Sequence, residues 1–526
     1  MDSQVQALEG IVTRKKLPVG IQTFREIRED GCYYVDKTGY ATRLVAEGKT
    51  YFLSRPRRFG KSLFLDTLAE MFAGTKHLFE GLECYDTWDW DTVYPVVRID
   101  FAASGADSPE ALDRRVSEIL AANERRLGVA TTAQSPGGRL EELICNAEAA
   151  YGQRVVVLVD EYDKPILDNL ADPDLARAMR NRLAGLYGVT KTQDAHIKFV
   201  MLTGVSKFSK VNLFSGLNNP EDITLDAEYS ALCGYTEDDL DEVFAPEMAG
   251  LDRDQVRRWY NGYSWGGQAV YNPYDLLLLF RKRQFDSYWF ATGTPRFLVD
   301  TLTDNGFYLP RLHSLEATTA LLSSFDVGHV SPTALLFQTG YLTVAATHQT
   351  AQGMRYTLRL PNEEVRTALT GALLAACSPD PDTVGERALR LPALLAAADF
   401  PGIEALFKAH FASIPHDWYR KSTMARAEGY YCSVFYAFFA SVGLETVPED
   451  TSNAGRLDLA VRHAGQIFLF EVKTDAEPSG AAMTQIENRG YADKYLAEGL
   501  PVHLVGVEFS RDQRTLVRLE ARTISG

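Results

Sequence analysis

From about residue 17 to 225 the chain alternates short β-branched apolar runs with longer amphipathic stretches. Thr50 to Leu53, Val96 to Phe101, Val155 to Val159 and Lys198 to Leu202 are predicted strands. The unbroken apolarity of Val155-Val156-Val157-Leu158-Val159 predicts burial on both faces, as in a parallel sheet covered by helices. From about 226 to 400 leucine and alanine dominate and strand-like runs are few after Val344, so this stretch reads as helical. It carries a capping signal at Thr236-Glu237-Asp238-Asp239 and a stop at Pro295. From about 401 strands return, alternating with aromatic helices. Residues 1–16 end in Thr13-Arg14-Lys15-Lys16 and read as a solvated arm. The expected division is therefore 1–16, 17–225, 226–400 and 401–526, with no internal repeat and no low-complexity tract.

Composition narrows the class. A length of 526 residues excludes a single small module, and 54 lysine plus arginine against 70 aspartate plus glutamate give a formal charge of −16. A broadly basic nucleic-acid coat is excluded, so any nucleic-acid contact must be local. With 46% hydrophobic and 24% charged residues the chain is of ordinary globular type. Cys32, Cys84, Cys145, Cys233, Cys377 and Cys432 form no CxxC pair, which predicts neither a zinc site nor a disulfide framework and suits a reducing cytoplasm. The opening MDSQVQALEG has no basic flank followed by an apolar stretch, and the apolar run Leu276 to Phe280 is far too short for a membrane span. The expectation is a cytoplasmic protein without a membrane partner.

Two places carry chemistry. Ser54-Arg55-Pro56-Arg57-Arg58-Phe59-Gly60-Lys61-Ser62 follows the first strand and opens a helix predicted over Leu63 to Phe72. Backbone N–H groups of a helix start can cradle phosphates there, with Lys61 as counter-cation and the Ser62 hydroxyl helping to hold Mg²⁺. Arg58, Phe59, Gly60, Lys61, Ser62 and Leu63 are the candidate nucleotide-binding residues. Arg55 stands where the usual pattern GxxxxGK[ST] has its first glycine, and Gly-Lys-Ser alone is equally an ordinary helix start. The buried strand ending at Asp160-Glu161 raises the odds: Asp160 would order the Mg²⁺ shell and Glu161 would polarise the attacking water. A further strand ends in Thr203, which could sense the γ-phosphate or be a plain strand end. Arg55, Arg57 and Arg58 could contact phosphate, act across a subunit interface, or form a solvated basic loop.

The second place is a predicted hairpin. Gly455 to Val461 and Ile467 to Lys473 read as strands around a turn centred on Ala464-Gly465. Opposed residues then have numbers summing to 929, which sets Asp458 against Glu471 with Cβ atoms roughly 5 Å apart, and Lys473 on the same face. Opposed carboxylates are destabilising unless a cation sits between them, and Mg²⁺ suits the oxygen ligands. Lys473 could orient or help deprotonate water for attack on a phosphodiester. Ordinary ion pairing on a surface hairpin is the competing reading, although Glu471 and Lys473 alternate with Phe470 and Val472 in an apolar strand where an unneeded charge is expensive. Glu428 begins a helix whose Tyr431, Phe435, Phe438 and Phe439 form an apolar stripe. Gln485 stands early in a helix expected to run to about Glu498 and to stop at Gly499.

Both places, with Tyr34-Val35-Asp36-Lys37-Thr38, Asp160-Glu161-Tyr162-Asp163-Lys164-Pro165, Leu336-Phe337-Gln338-Thr339-Gly340-Tyr341-Leu342-Thr343 and Pro361-Asn362-Glu363-Glu364-Val365, resemble a prokaryotic family of predicted AAA-type ATPases fused to a C-terminal PD-(D/E)XK nuclease-like domain. The resemblance runs from about 17 to 510. It implies an α/β protein: a P-loop NTPase parallel sheet core over 17–225, a helical lid and winged-helix-like region over 226–400, and an α/β restriction-endonuclease-like domain over 401–526. Its nuclease-like site would comprise Glu428, Asp458, Glu471, Lys473 and Gln485. The family's phosphate loop also tends to lack the first glycine, so Arg55 is no departure within it. The implied cofactors are ATP and Mg²⁺, the implied substrate is DNA or RNA, and a homo-oligomer is the expected working form. The expected function is an ATP-hydrolysing switch on a nuclease, plausibly in defence against foreign nucleic acid. Two alternatives stand beside it: a regulatory NTPase whose C-terminal domain binds without cutting, and a mobile-element protein assembling on DNA. Residues 401–526 hold 13 lysine plus arginine against 16 aspartate plus glutamate, which weakens the nuclease reading.

Overall fold

Val155–Asp160 is buried along its whole length because strands flank it on both edges and helices cover both faces. In the computed structural model the described residues are 14–103, 105–207, 220–292, 299, 302, 308–322, 325–326, 329–376, 378, 380–413, 428–452, 455–475, 479–510, 512–513 and 515–524. They divide into two compact units, Met1–Trp289 with Ala317–Thr357, and Phe290–Glu316 with Leu358–Gly526.

The first unit holds a sheet of β1 (Thr50–Ser54), β2 (Val96–Asp100), β3 (Val155–Asp160), β4 (Ile197–Gly204) and β5 (Glu221–Asp222), in the order β2-β3-β4-β1-β5. Every pairing is parallel, so all strands deliver their C-terminal residues to one edge. The long crossover helices Pro109–Leu127, Pro136–Tyr151 and Pro173–Thr192 start alike, on a Ser108, Ser135 or Asp172 cap followed by proline at the first helical position. Each such cap contributes about 1 kcal/mol by satisfying a helix-start N–H.

The same unit continues into helices Glu237–Glu242, Arg253–Tyr260 and Pro273–Lys282. Leu240, Phe244, Val256, Tyr260 and Leu276 to Phe280 form their core. The expected signal at Thr236 is a capping box: Asp239 N–H donates to Thr236 Oγ1, and Thr236 N–H donates back to the Asp239 carboxylate. The stop expected at Pro295 lies outside the described residues. Against the helical expectation, Thr343–Thr350 and Gly353–Arg359 are strands. Their polar composition left no apolar run to read.

The second unit carries a mixed sheet of Glu445–Ser452, Gly455–His463, Gln466–Asp475, Val502–Ser510 and Thr515–Ile524, arranged in chain order. Only the third and fourth strands are parallel, and helix Ala481–Asn488 lies in the connection between them. Gly506 allows that helix to lie directly on the sheet, since a Cβ there would come 2.7 Å from Met483 N. The apolar stripe of helix Glu428–Ser441 is core: Phe435 and Phe439 lie 5.2 and 5.1 Å from Phe470, and Tyr431 stacks on Phe509 at 4.5 Å. The expected continuous helix from Gln485 to Glu498 is broken. It ends at Asn488, Gly490 takes a left-handed φ of 57°, and a separate turn spans Asp493–Leu496. Among the described residues no helix is long and apolar enough to cross a membrane.

Candidate functional site

The carboxyl edge of the parallel sheet gathers the first set of residues. β1 ends at Ser54, and the chain turns through Arg55 to Gly60 into helix Lys61–Phe72. Gly60 has φ 96°, a left-handed conformation that a side chain would strain. Phe59 is buried, edge-on to Tyr263 at 4.7 Å and Trp265 at 5.5 Å, and its carbonyl accepts from the Gly234 N–H at 3.1 Å, so the residue anchors the loop. Arg57 and Arg58 are exposed, Arg58 lying 5.0 Å over the Tyr274 ring. The Arg57 carbonyl accepts from Trp289 Nε1 at 3.1 Å. Lys61 Nζ donates to the carbonyls of Arg55 at 3.0 Å and Pro56 at 3.1 Å, folding the cation over its own loop. Ser62 and Leu63 are half-buried in the first turn of the helix, whose unpaired N–H groups and dipole favour an anion.

Arg55 departs from all three readings offered for it. Its side chain is 0% exposed and turned away from solvent, so it neither contacts phosphate, nor reaches across an interface, nor forms a solvated loop.

Asp160 is the last residue of β3. Its Oδ1 accepts from Thr203 Oγ1 at 2.6 Å and from the Glu161 N–H at 2.9 Å. Thr203 is fully buried on β4, and its hydroxyl is directed at this carboxylate. Glu161 has φ 51°, a strained conformation for a non-glycine residue and one found disproportionately at working sites. Burial pushes the Glu161 carboxyl up from its ordinary value, the Lys61 cation pulls it down, and Asp163 and Asp160 push it further up. A carboxylate poised in this way is suited to accept a proton from water.

Two residues here were missed by the sequence reading. Asp163 is fully buried and accepts from Ser206 Oγ at 2.5 Å, Ser206 N–H at 2.6 Å and Val205 N–H at 3.1 Å, tying the turn after β3 to the turn after β4. Burial raises its carboxyl while the Ser206 hydrogen bonds lower it. Asp100 ends β2 in register with Asp160. The test that found Asp160, a carboxylate at the end of an apolar strand, would have found Asp100 had it been applied to every strand.

The second set lies on the mixed sheet. Leu459 pairs with Phe470, Arg462 with Ile467 and His463 with Gln466, around a turn in which Ala464 and Gly465 have φ 50° and 71°. Two positive φ values are those of a type I′ turn. The paired ladder ends at Leu459 and Phe470, one pair short of Asp458 and Glu471. Asp458 Oδ2 accepts from the Val472 N–H at 2.7 Å. Glu471 is 1% exposed, Lys473 Nζ lies 3.2 Å from its Oε1, and Gln485 Nε2 donates to the same oxygen. Gln485 reaches it because Glu508 accepts from the Gly480 N–H at 3.0 Å and the Ala482 N–H at 3.2 Å, which fixes the start of its helix. Thus Glu471, Lys473 and Gln485 come together, and Asp458 is tied to the same strand through the Val472 N–H. Glu428 is the first residue of its helix, and its side chain lies outside the described residues.

The donors fit Mg²⁺, which is held by one or two carboxylates and completes its shell with water and phosphate oxygens. Asp458 and Glu471 supply such oxygens on the hairpin; Ser62 and Asp160 supply them beside the phosphate loop. Among the described residues no group of three or more His, Cys, Asp and Glu is gathered to hold a metal ion.

Comparison with known proteins follows the same division. A family model described as Predicted AAA-ATPase matches residues 18–214, and one described as PD-(D/E)XK nuclease superfamily matches residues 426–519. An uncharacterized protein in the vnfD 5′ region of Azotobacter chroococcum mcd 1 is 57% identical over 508 residues, covering 96% of this chain and 98% of that relative. No solved structure matches the chain.

Proposed function

The chain belongs to the family that joins a predicted AAA-ATPase domain to a C-terminal PD-(D/E)XK nuclease superfamily domain, and from that premise we propose that ATP binding and hydrolysis switch a Mg²⁺-dependent nuclease on and off. The observation that carries this reading is the Glu471 carboxylate, 1% exposed yet set beside Lys473 and Gln485, with Asp458 bonded to the N–H of the next residue, Val472. A sheet has no structural need for such a buried polar group, and each charge there is costly unless it is used.

In the ATPase domain the loop N–H groups and Lys61 bind the phosphates, after Lys61 gives up the Arg55 and Pro56 carbonyls. Glu161 polarises the attacking water, and Thr203 orients Asp160. In the nuclease domain Gln485 orients Glu471, and Lys473 positions the water that attacks the phosphodiester. Ser62 with Asp160, and Asp458 with Glu471, would hold Mg²⁺, which would neutralise phosphate charge there. An always-active nuclease would damage its host, which supports a defence role in the cytoplasm with activity released by a trigger. Nucleotide state would act through residues 226–400 or through assembly of a homo-oligomer, with a coupling of about 1–3 kcal/mol, or roughly 5- to 150-fold.

The deciding experiment incubates the purified full chain with DNA and with RNA, with and without divalent metal and ATP. Metal-dependent cleavage that changes with nucleotide is expected. The acidic balance of residues 401–526 favours a second reading, a regulatory NTPase that binds a partner without cutting. ATP turnover with no cleavage of either nucleic acid would favour that reading and overturn the first.

A further inference from the structure

Arg55 is the first residue of the phosphate loop, and its guanidinium is the largest fully buried side chain of the described residues. Nη1 donates to the carbonyls of Ser54 and Thr224, both at 2.9 Å, and Nη2 donates to the Tyr229 carbonyl at 3.0 Å. The guanidinium carbon lies 4.0 Å over the Trp265 ring. Among the described residues no carboxylate lies in ion-pair contact with it; carbonyl dipoles and an aromatic face hold the charge, and Asp222, itself paired with Lys207, adds an electrostatic attraction. Burial draws its pKa down to about 10, which leaves it a cation at neutral pH.

A buried cation with no counter-ion in direct contact is costly in the absence of ligand and less so once an anion arrives nearby. The backbone of this residue is already part of the loop: its N–H donates to the Gly204 carbonyl at 3.2 Å, and its carbonyl receives Lys61 Nζ. One residue therefore ties the strand end of β4, the segment 224–229 and the loop lysine together. We propose that Arg55 is a positioning residue for the nucleotide phosphates, one that fixes the phosphate loop from beneath through its forked hydrogen bonds and adds a fixed positive charge behind it. It does in this chain, by anchoring, what a glycine at that position does by small size. The inference rests on the ATP-binding reading of the loop.

The test measures binding of a fluorescent ATP analogue, and the ATP-induced rise in melting temperature, for the full chain and for Arg55→Lys, Arg55→Met and Lys61→Ala. Arg55→Lys keeps the charge and loses the fork. The expected result is a loss of ATP affinity of about 10- to 100-fold in Arg55→Met, the range typical of groups that orient a binding shell, with partial recovery in Arg55→Lys. The loss should be larger for ATP than for adenosine, whereas a purely structural lesion would weaken both alike. Equal losses for ATP and adenosine, or wild-type ATP affinity in Arg55→Lys and Arg55→Met while Lys61→Ala binds nothing, would overturn the role of Arg55 alone. If the unaltered chain binds no ATP, the reading of the loop falls and this inference falls with it. Should Arg55→Met fail to fold, Arg55→Lys carries the same comparison.

Discussion

The Thr203 hydroxyl on β4 donates to Asp160 Oδ1 on β3 across 2.6 Å, with both side chains at least nine-tenths buried. A neutral donor thereby aims one oxygen of the carboxylate that ends β3. Thr203→Val keeps the shape and removes the donor, so we predict ATP hydrolysis slowed about 10- to 100-fold with ATP affinity little changed. Thr203→Ser should restore most of the rate. Equal turnover in the valine variant would show that Asp160 needs no such support.

Glu161→Gln should hold ATP but turn it over slowly, since an amide keeps the size and cannot accept the proton. The wild-type pH profile is a second check. Burial raises the Glu161 carboxyl, so the active, deprotonated form is lost as pH falls through a value above the ordinary 4.5. An acidic limb of kcat/KM at or below 4.5, or nucleotide trapping by Asp160→Asn and not by Glu161→Gln, would reassign the base.

For the hairpin site, Asp458→Ala, Glu471→Ala and Lys473→Ala should each abolish nucleic-acid cleavage and leave ATP hydrolysis intact. Gln485→Ala should reduce cleavage about 10- to 100-fold, because Glu471 keeps its charge and loses its orientation. Cleavage that survives Asp458→Ala, or that proceeds in a metal chelator, would move the chemistry to other residues.

Glu237 predicts acid sensitivity of the first unit. Its carboxylate accepts from Arg253 and Arg257 at 2.8 Å, Tyr271 at 2.8 Å and Asn261 at 3.0 Å. Although burial opposes the charge, the hydrogen bonds from Arg257, Tyr271 and Arg253 win and hold its pKa near 2, against an ordinary 4.5. A depressed carboxylate stabilises the fold above its unfolded value and loses that contribution as pH falls from about 4.5 to about 2. Glu237→Gln should destabilise the protein by about 1–3 kcal/mol at neutral pH and flatten the acid limb of the melting curve. An unchanged slope of melting temperature against pH in that window would refute the assignment.

The hairpin was legible from sequence because side chains alternate with period two, so one turn assignment fixes every opposed pair. The 929 sum holds at Leu459 with Phe470 and at each pair down to the turn. β3 was legible because a strand covered on both faces must be apolar throughout. What escaped were features set by tertiary partners. Nothing in the local sequence says that Arg55 points inward, since two of its three carbonyl acceptors lie far along the chain, at Thr224 and Tyr229. Strands Thr343–Thr350 and Gly353–Arg359 are polar enough to read as neither element. The break at Gly490 required choosing the earlier of two glycines, and Gly499, also left-handed at φ 67°, looked the better stop.

The first unit closes only with residues 317–357. Gln338 Oε1 receives the Lys207 N–H at 3.1 Å, and Gly340 lies so near Pro56 that a Cβ would come within 2.7 Å of it. Gly340 is made roughly 280 residues after Lys61, so at about 5–20 residues per second the phosphate loop waits about 15 to 55 s for its last neighbours. The hairpin of Asp458 and Glu471 emerges later still. Chain order thus lets translation complete the last segment of the first unit before the ribosome has made the mixed sheet that carries the hairpin. Nascent chains stalled past residue 357 should already protect the phosphate loop from protease when ATP is added, while chains stalled at residue 289 should not.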